Sequence, residues 1–416
     1  MKDIAAVILA AGKGTRMKSA LPKVVHKVCG VPLILHVVRQ VKRAGIKKIV
    51  VVAGYRKDLV VDCLKNERVE IVEQARQLGT GHALLVSAQK LRSFNGDILV
   101  LDGDVFFEDK TVLRQFFTFH AKRCVEMSIL TTTLDNPFGY GRIVRESNEK
   151  VVAIREELDA TPSERKIKEI NTGIYLFKSK NLFSYLKGVK KNNRKKEYYL
   201  TSVVDMYLQK QKNVGCFNID GTHAILGVND RVQLSAIQKS LQAVIIREHQ
   251  RKGVTVVDPA NTYIEDGVAI GRDTCIYPYT YIEKNVRIGA GCTIGPFCKI
   301  CSHSFIKDDA HIGSFVEIVR SRIGQKTRIK HLSYIGDATI GRQVNIGAGT
   351  ITANYDGIKK HKTKIGDKAF IGSDTILVAP LTVGKEAKTG AGTVVPKGRN
   401  IPRRRTAVGI PARIIK

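Results

Sequence analysis

The chain has 416 residues, 43% of them hydrophobic, with 69 Lys and Arg against 38 Asp and Glu for a formal charge of +31. That length and apolar content suit two or three packed domains and argue against a disordered half, and no apolar run approaches a membrane span. The stretch Ile4 to Ala11 is long enough for a signal segment, but only Lys2 and Asp3 precede it and Gly-Lys-Gly-Thr-Arg follows in place of a cleavage site, so a cytoplasmic protein is expected.

The positive excess favours anionic partners, whether nucleic acid, acidic lipid or phosphorylated metabolites. The Lys and Arg residues are spread along the chain and no nucleic-acid-binding motif is visible. Phosphate-bearing small molecules or general solvation are therefore expected, with no nucleic acid and no membrane. Among eight cysteines only Cys298 and Cys301 form a C-x-x-C pair, with no second pair or histidine cluster to complete a zinc site.

Residues 3–11 (DIAAVILAA) read as a buried parallel strand that stops at a turn, Gly12-Lys13-Gly14-Thr15-Arg16-Met17. The turn lacks the third glycine of the dinucleotide fingerprint and the Gly-Lys-Ser/Thr ending of a Walker loop. It remains a candidate phosphate cradle, with exposed backbone N–H groups and Arg16 close behind. Residues 48–54 and 97–103 are further apolar runs ending in small or acidic residues, as parallel strands do where their carboxyl ends carry a site. An acid at such an edge suits a metal, which makes Asp104 a candidate magnesium ligand; an Asp of a structural turn is the competing reading. Residues 229–252 carry Val232, Leu234, Ile237, Leu241, Val244, Ile245 and Ile246 at helical spacing. A connecting helix is expected there, capped by Asn229 or Asp230 and ended by Gly253; a coiled coil is the alternative.

Isoleucine then falls on every sixth residue: 264, 270, 276, 282, 288, 294, 300, 306, 312 and 318. Two residues before each stands a small or β-branched residue, from Thr262 to Val316, with Cys298 among them as a core position. A six-residue period with two inward positions fits a hexapeptide parallel β-helix, three hexads to a coil, stable only when several coils stack. After Ile318 the series reads Ile323, Ile329, Ile335, Ile340, Ile346 and Ile351, with some steps of five that should bend or crowd the coil. An excursion, Thr352 to Gly357, precedes resumption at Ile365, Ile371, Leu377, Val383 and Val395. A loop leaving a regular prism is where function is expected. His331, in the disturbed zone, is a candidate general base, since neutral imidazole can accept a proton from an attacking amine; a structural histidine is the competing reading.

Leu9-Ala10-Ala11-Gly12-x-Gly14-Thr15-Arg16-Met17 followed by Pro22-Lys23 is similar to the signature of the sugar-phosphate nucleotidyltransferases. Gln74-Ala-Arg-Gln77-Leu-Gly79-Thr80-Gly81-His82-Ala83 resembles the uracil-reading loop of one branch, the bifunctional N-acetylglucosamine-1-phosphate uridyltransferases / glucosamine-1-phosphate N-acetyltransferases. Asp102-Gly103-Asp104, Gly139-Tyr140-Gly141-Arg142-Ile143, Glu156, Glu169-Ile170-Asn171-Thr172-Gly173, Glu197-Tyr198-Tyr199-Leu200-Thr201 and Gly227-Val228-Asn229 agree in order, and the likeness continues to about residue 396.

The resemblance implies an α/β Rossmann-like nucleotidyltransferase domain (1–228), a linker helix (229–252), a left-handed parallel β-helix of hexapeptide repeats (253–398) and a basic tail (399–416). It implies uridylyl transfer from UTP to N-acetylglucosamine-1-phosphate, with Arg16 and Lys23 catalytic and Mg²⁺ on Asp104 and Asn229. UTP and sugar would be bound by Leu9, Ala10, Ala11, Gly12, Gly14, Gln74, Gly79, Thr80, Asp102, Gly103, Gly141, Glu156 and Asn171. It further implies acetyl transfer from acetyl-CoA to glucosamine-1-phosphate, with His331 as base oriented by Glu317. Tyr334, Asn345 and Lys360 would contact the acceptor, and Ala348, Asn354, Tyr355, Ser373 and Ala391 would line the acetyl-CoA site in a homotrimer. The first domain departs mildly, with Phe106 where proline is usual and Arg76 where an acid is common. In the second, Cys301 and Val319 stand where the family carries an arginine and a lysine on the sugar phosphate, with Arg320 or Lys299 as possible substitutes. The ending resembles that of simpler hexapeptide acyltransferases and offers Arg403, Arg404 and Arg405 for coenzyme A or for solvent. Two alternatives follow: a uridyltransferase whose acyltransferase half is silent or takes another amine, and a non-catalytic scaffold subunit.

Overall fold

A computed structural model describes residues 3–107, 109, 111–146, 150–191, 197–219 and 225–415. It divides into two compact units, residues 1–240 and 241–416. No helix among the described residues is long and apolar enough to cross a membrane.

The first unit is built on a sheet whose order runs Val151–Arg155, Gly141–Arg145, Glu169–Lys178, Asp97–Asp102, Ile4–Ala10, Lys48–Ala53, Glu70–Glu73. Ile4–Ala10 lies parallel between Asp97–Asp102 and Lys48–Ala53, pairing Leu9 with Asp102 and Ala10 with Ala53. Its continuous apolar sequence has a physical cause in this position. Ala6, Ile8 and Ala10 enter one core, while Ala5, Val7 and Leu9 enter the other, so both faces are covered and alternation with polar residues would fail. Because the chain crosses from one side of this strand to the other, a crevice opens at the carboxyl ends of Ile4–Ala10 and Asp97–Asp102, the switch point where such sheets bind ligands.

The expected helix spans Arg231–Arg251. Asp230 Oδ1 accepts from Gln233 N at 2.8 Å and Gln233 Oε1 from Asn229 N at 2.7 Å, a reciprocal cap. At the other end Gly253 takes φ 89°, with its N–H on Gln250 O and the Val254 N–H on His249 O. This is a Schellman ending, which glycine adopts without a Cβ penalty.

The second unit is the three-faced prism of short parallel strands. Ile276, Ile294, Ile312, Ile329, Ile346 and Ile371 stack on one face, each paired with the next. The residues two before the isoleucines are inward too: Thr274, Thr280, Val286, Cys292, Cys298 and Ser304 are all buried.

Three expectations are corrected. The five-residue steps tighten the corner instead of bending the coil: Phe305 to Ile306 pairs with Arg322 to Ile323, which pairs with Thr339 to Ile340, in unbroken register. The missing residue is taken from the turn, where only Val319-Arg320 separate inward Ile318 from inward Ser321, and only Gly336-Asp337 separate Ile335 from Ala338. Arg320 and Asp337 make those tight corners at φ 45° and 50°. Next, Ile351 is not a rung. It is 40% exposed, and Thr352, 0% exposed, points inward and restores the six-residue step from Ile346. Last, the basic tail expected from residue 399 is, over residues 399–415, packed onto the prism. Ile401, Ala407 and Ala412 are buried, Thr406–Val408 pairs with Lys388–Thr389, and the chain folds back as antiparallel Arg413–Ile415.

Candidate active sites

The crevice of the first unit has two lobes. One, about 360 Å³, is lined by Leu9 to Thr15, Gln74, Gly79 and Thr80. The other, about 280 Å³, is lined by Arg16, Gly141, Glu156, Asn171 and Asn229. Lys23, Thr80, Asp102 and Asp104 line both. Of the residues expected in the first site, only Gly103 lies off these walls. Its N–H bonds Leu9 O at 2.8 Å, and a Cβ would press on Ile34 and Val24, so it supports the floor.

At the junction Lys23 Nζ lies 2.7 Å from Asp104 Oδ2, which also accepts from Val228 N at 3.1 Å. Arg16 Nη2 donates to Asn229 Oδ1 at 2.7 Å. Burial, and then the neighbouring Asp104 charge, push the Asp102 carboxyl well above the usual carboxylate range, with Lys23 opposing. Two acids side by side with amide oxygen nearby form a hard-oxygen donor set of the kind magnesium uses, with few protein ligands and the rest left to phosphate and water. The residues fit a divalent cation.

The first lobe's far wall is braced from a distant segment. Gly79 has φ 108°, and a Cβ there would come 2.5 Å from Tyr198 O. Gly81 N and Leu200 N close the contact through Tyr198 O and Thr80 Oγ1. Buried Gln74 donates to Gly79 O at 3.1 Å and meets His82 Nδ1 at 2.9 Å. In the second lobe Glu156 Oε1 accepts from Thr201 Oγ1 at 3.1 Å, and Asn171 Nδ2 donates to Tyr175 Oη at 2.6 Å. Sequence reasoning gave no role to Thr201, Tyr140 or the Arg142–Glu157 pair that holds the loop at the lobe's rim. The motifs carrying Thr201, Tyr140 and Arg142 were legible, but their cross-chain partners were not.

In the prism, four of the expected residues share one corner in successive coils. Gly349 N bonds Leu332 O, Asp374 N bonds Ala348 O, and Gly392 N bonds Ser373 O, which stacks His331-Leu332, Ala348-Gly349, Ser373-Asp374 and Ala391-Gly392. His331 is exposed there. Asn345 lies on the face before that corner and Tyr334 on the face after it. Asn354 and Tyr355 belong to the excursion, and Tyr355 bridges Lys360 just beyond it. Glu317 is the residue expected to orient His331. It lies across the sheet from Lys299, 3.6 Å from its Nζ, and accepts from Cys301 Sγ at 3.5 Å, while His331 sits around the corner. Burial first, then Glu283, pushes the Cys301 thiol up to about 11.

Residues 5–227 match the nucleotidyl transferase family. Residues 267–302 match the bacterial transferase hexapeptide (six repeats), and 362–397 the hexapeptide repeat of succinyl-transferase. A bifunctional protein GlmU of Pelotomaculum thermopropionicum is 45% identical over 412 residues, covering 91% of this chain and 90% of that one. Bifunctional protein GlmU of Syntrophomonas wolfei is 42% identical over 412 residues, covering 91% of each chain. That of Streptococcus agalactiae serotype V is 41% identical over 409 residues, covering 90% and 89%. With both domains matched in order and the likeness running through nine-tenths of the chain, this protein belongs to the family of the bifunctional proteins GlmU.

Proposed function

We propose that the chain makes UDP-N-acetylglucosamine in two steps, acetylating glucosamine-1-phosphate from acetyl-CoA in the prism and joining the product to UTP in the two-lobed crevice. The observation that carries the first chemistry is the junction, where Lys23, Asp102 and Asp104 line both lobes. A nucleotide in one lobe and a sugar phosphate in the other would meet there.

Nucleotidyl transfer asks little covalent help of the protein, because the attacking sugar phosphate is already ionised; alignment and charge neutralisation do most of the work. The Gly12–Gly14 backbone cradles the triphosphate, and Arg16 and Lys23 neutralise charge that builds as pyrophosphate leaves. Leu9, Ala10, Ala11, Gln74, Gly79 and Thr80 hold the nucleoside; Gly141, Glu156 and Asn171 hold the acetylated sugar. Asp104 and Asn229 would hold Mg²⁺, which when bound supplies positive charge to the phosphates. In the prism, His331 takes the proton from the amine as nitrogen attacks the thioester carbonyl and coenzyme A departs as thiol. Tyr334, Asn345 and Lys360 hold the acceptor, and the corner from Ala348 to Ala391, with Asn354 and Tyr355, holds acetyl-CoA. The assembly proposed is a cytoplasmic homotrimer, in which the excursion of one prism reaches the next.

Lys23→Ala or Asp104→Ala should reduce UTP-dependent pyrophosphate release at least about 100-fold; an unchanged rate refutes the first activity. Free-thiol release from acetyl-CoA with glucosamine-1-phosphate tests the second. No release above background returns the reading to a uridyltransferase with a silent or altered second half, which Cys301 and Val319 favour. No UTP binding with magnesium present would leave a scaffold subunit.

A further inference from the structure

We propose that Arg320, held in place by Asp337, is the cation that takes the acceptor's phosphate at the second site, with Lys360 beside it; the assignment rests on the acetyl-transfer reading above and names the residue that makes it selective for a phosphorylated amine.

Two cations stand near the positions of Cys301 and Val319, and their surroundings differ in sign. Lys299 Nζ lies 3.6 Å from Glu283 and 3.6 Å from Glu317, so that group carries a net negative charge. An anion is repelled there. Arg320 occupies the tight corner left by the shortened hexad, and its Nε and Nη2 donate to the two oxygens of Asp337, each at 2.7 Å. Asp337 is the same corner one coil on, joined to it by the bond from Asp337 N to Val319 O at 2.9 Å. The deleted residue therefore sets two opposite charges one above the other in a planar fork.

That fork fixes the guanidinium without exhausting it. Five N–H groups are available and Asp337 uses two, leaving Nη1 and one Nη2 hydrogen for a second planar or tetrahedral oxyanion. Asn354 Nδ2 donates to Asp337 Oδ2 at 2.5 Å, tying the excursion to the same carboxylate. The Asp337 carboxyl is held below its usual range by the Arg320 hydrogen bonds first and by Asn354, with Lys360 also close enough to contribute. Arg320 and Lys360 against Asp337 leave a net positive charge beside Asn354, which is the sign a phosphate requires.

The test uses the full chain, with thiol release from acetyl-CoA measured for glucosamine-1-phosphate and for glucosamine. Arg320→Ala should raise KM for the phosphorylated acceptor about 10- to 100-fold, with kcat within about threefold and the glucosamine KM unmoved. Arg320→Lys, which keeps the charge and loses the fork, should fall between. Thermal unfolding of each variant reports that it is folded. An unchanged KM for glucosamine-1-phosphate, or an equal rise for both acceptors, overturns the assignment while acetyl transfer stands. If the unaltered protein releases no thiol, the acetyl-transfer reading fails by itself. Calorimetric titration of glucosamine-1-phosphate in a Lys23→Ala background then decides on Arg320: affinity lost on Arg320→Ala supports it, and no binding or equal binding overturns it.

Discussion

Arg142 shows what a single buried charge does in the first unit. Its guanidinium is enclosed beside the strand Gly141–Arg145, donates to Tyr140 O, and reaches Glu157 Oε2 at 2.8 Å. Glu157 accepts from Gly139 N at 3.0 Å. Burial pushes the Glu157 carboxyl up, but the Gly139 N–H and Arg142 together outweigh it and hold it below the usual range. The loop rimming the second lobe is thus set by one ion pair. Arg142→Met leaves a carboxylate and a carbonyl short of their donor and should cost about 3 kcal/mol, with KM for the sugar phosphate rising as the loop loosens; unchanged unfolding temperature and KM would dismiss this role. His120 makes a different case. Burial, then Lys178, lowers its pKa to about 4, so at neutral pH it is uncharged in the fold, with Nδ1 on Ser128 Oγ at 2.8 Å. The unfolded chain binds the proton near the ordinary value of about 6.5. Its contribution is therefore complete above about 6.5 and is lost as pH falls toward 4. Unfolding temperature followed between those limits should fall more steeply for the unaltered protein than for His120→Gln; parallel curves would contradict it.

At the scale of the element, the prism shows both the reach and the limit of periodicity. Ten isoleucines on one register required inward positions six apart, and burial at Ile276, Ile282, Ile294, Ile300 and Ile312 follows from that alone. The rule misled at Ile351 because it counted apolarity, whereas the inward position accepts a hydroxyl that finds a partner. Thr352 Oγ1 accepts from Gly336 N at 2.7 Å and lies 3.1 Å from Gly336 O, satisfying backbone groups inside the coil. Thr352→Val keeps the shape but strands the Gly336 N–H and should cost about 1–3 kcal/mol. Ile351→Ser, on the outside, should stay within about 0.5 kcal/mol. Denaturant titration of the two variants decides which residue is the rung, and the reverse order would restore the isoleucine. The same limit explains the sites. Asp104 could be singled out because a strand end carries its own signal, whereas Leu9, Asp102 and the weight given to His331 came with the family resemblance. Asp337, Thr201 and Glu157 act through partners a coil or a strand away, and no local pattern states who faces whom.

At the scale of the whole molecule, the core of the first unit is filled by helices on both faces of a sheet, and that of the second by stacked hexads. Cores built so differently, in units divided near residue 240, should unfold as separate events, so one transition temperature cannot describe the chain. The assignment of ligands to units then becomes measurable without turnover. A ligand that binds only the folded form of one unit stabilises it by RT ln(1 + [L]/Kd), about 2.7 kcal/mol at a hundredfold excess over Kd. For a unit of this size that is a rise of about 5–10 °C in its own transition. UTP with magnesium should therefore move the transition of the crevice-bearing unit and leave the other in place, while acetyl-CoA should do the reverse. Lys23→Ala should abolish the first shift and keep the second. Scanning calorimetry in which UTP moved both transitions equally, or neither, would contradict the placement of the nucleotide in the crevice of the first unit.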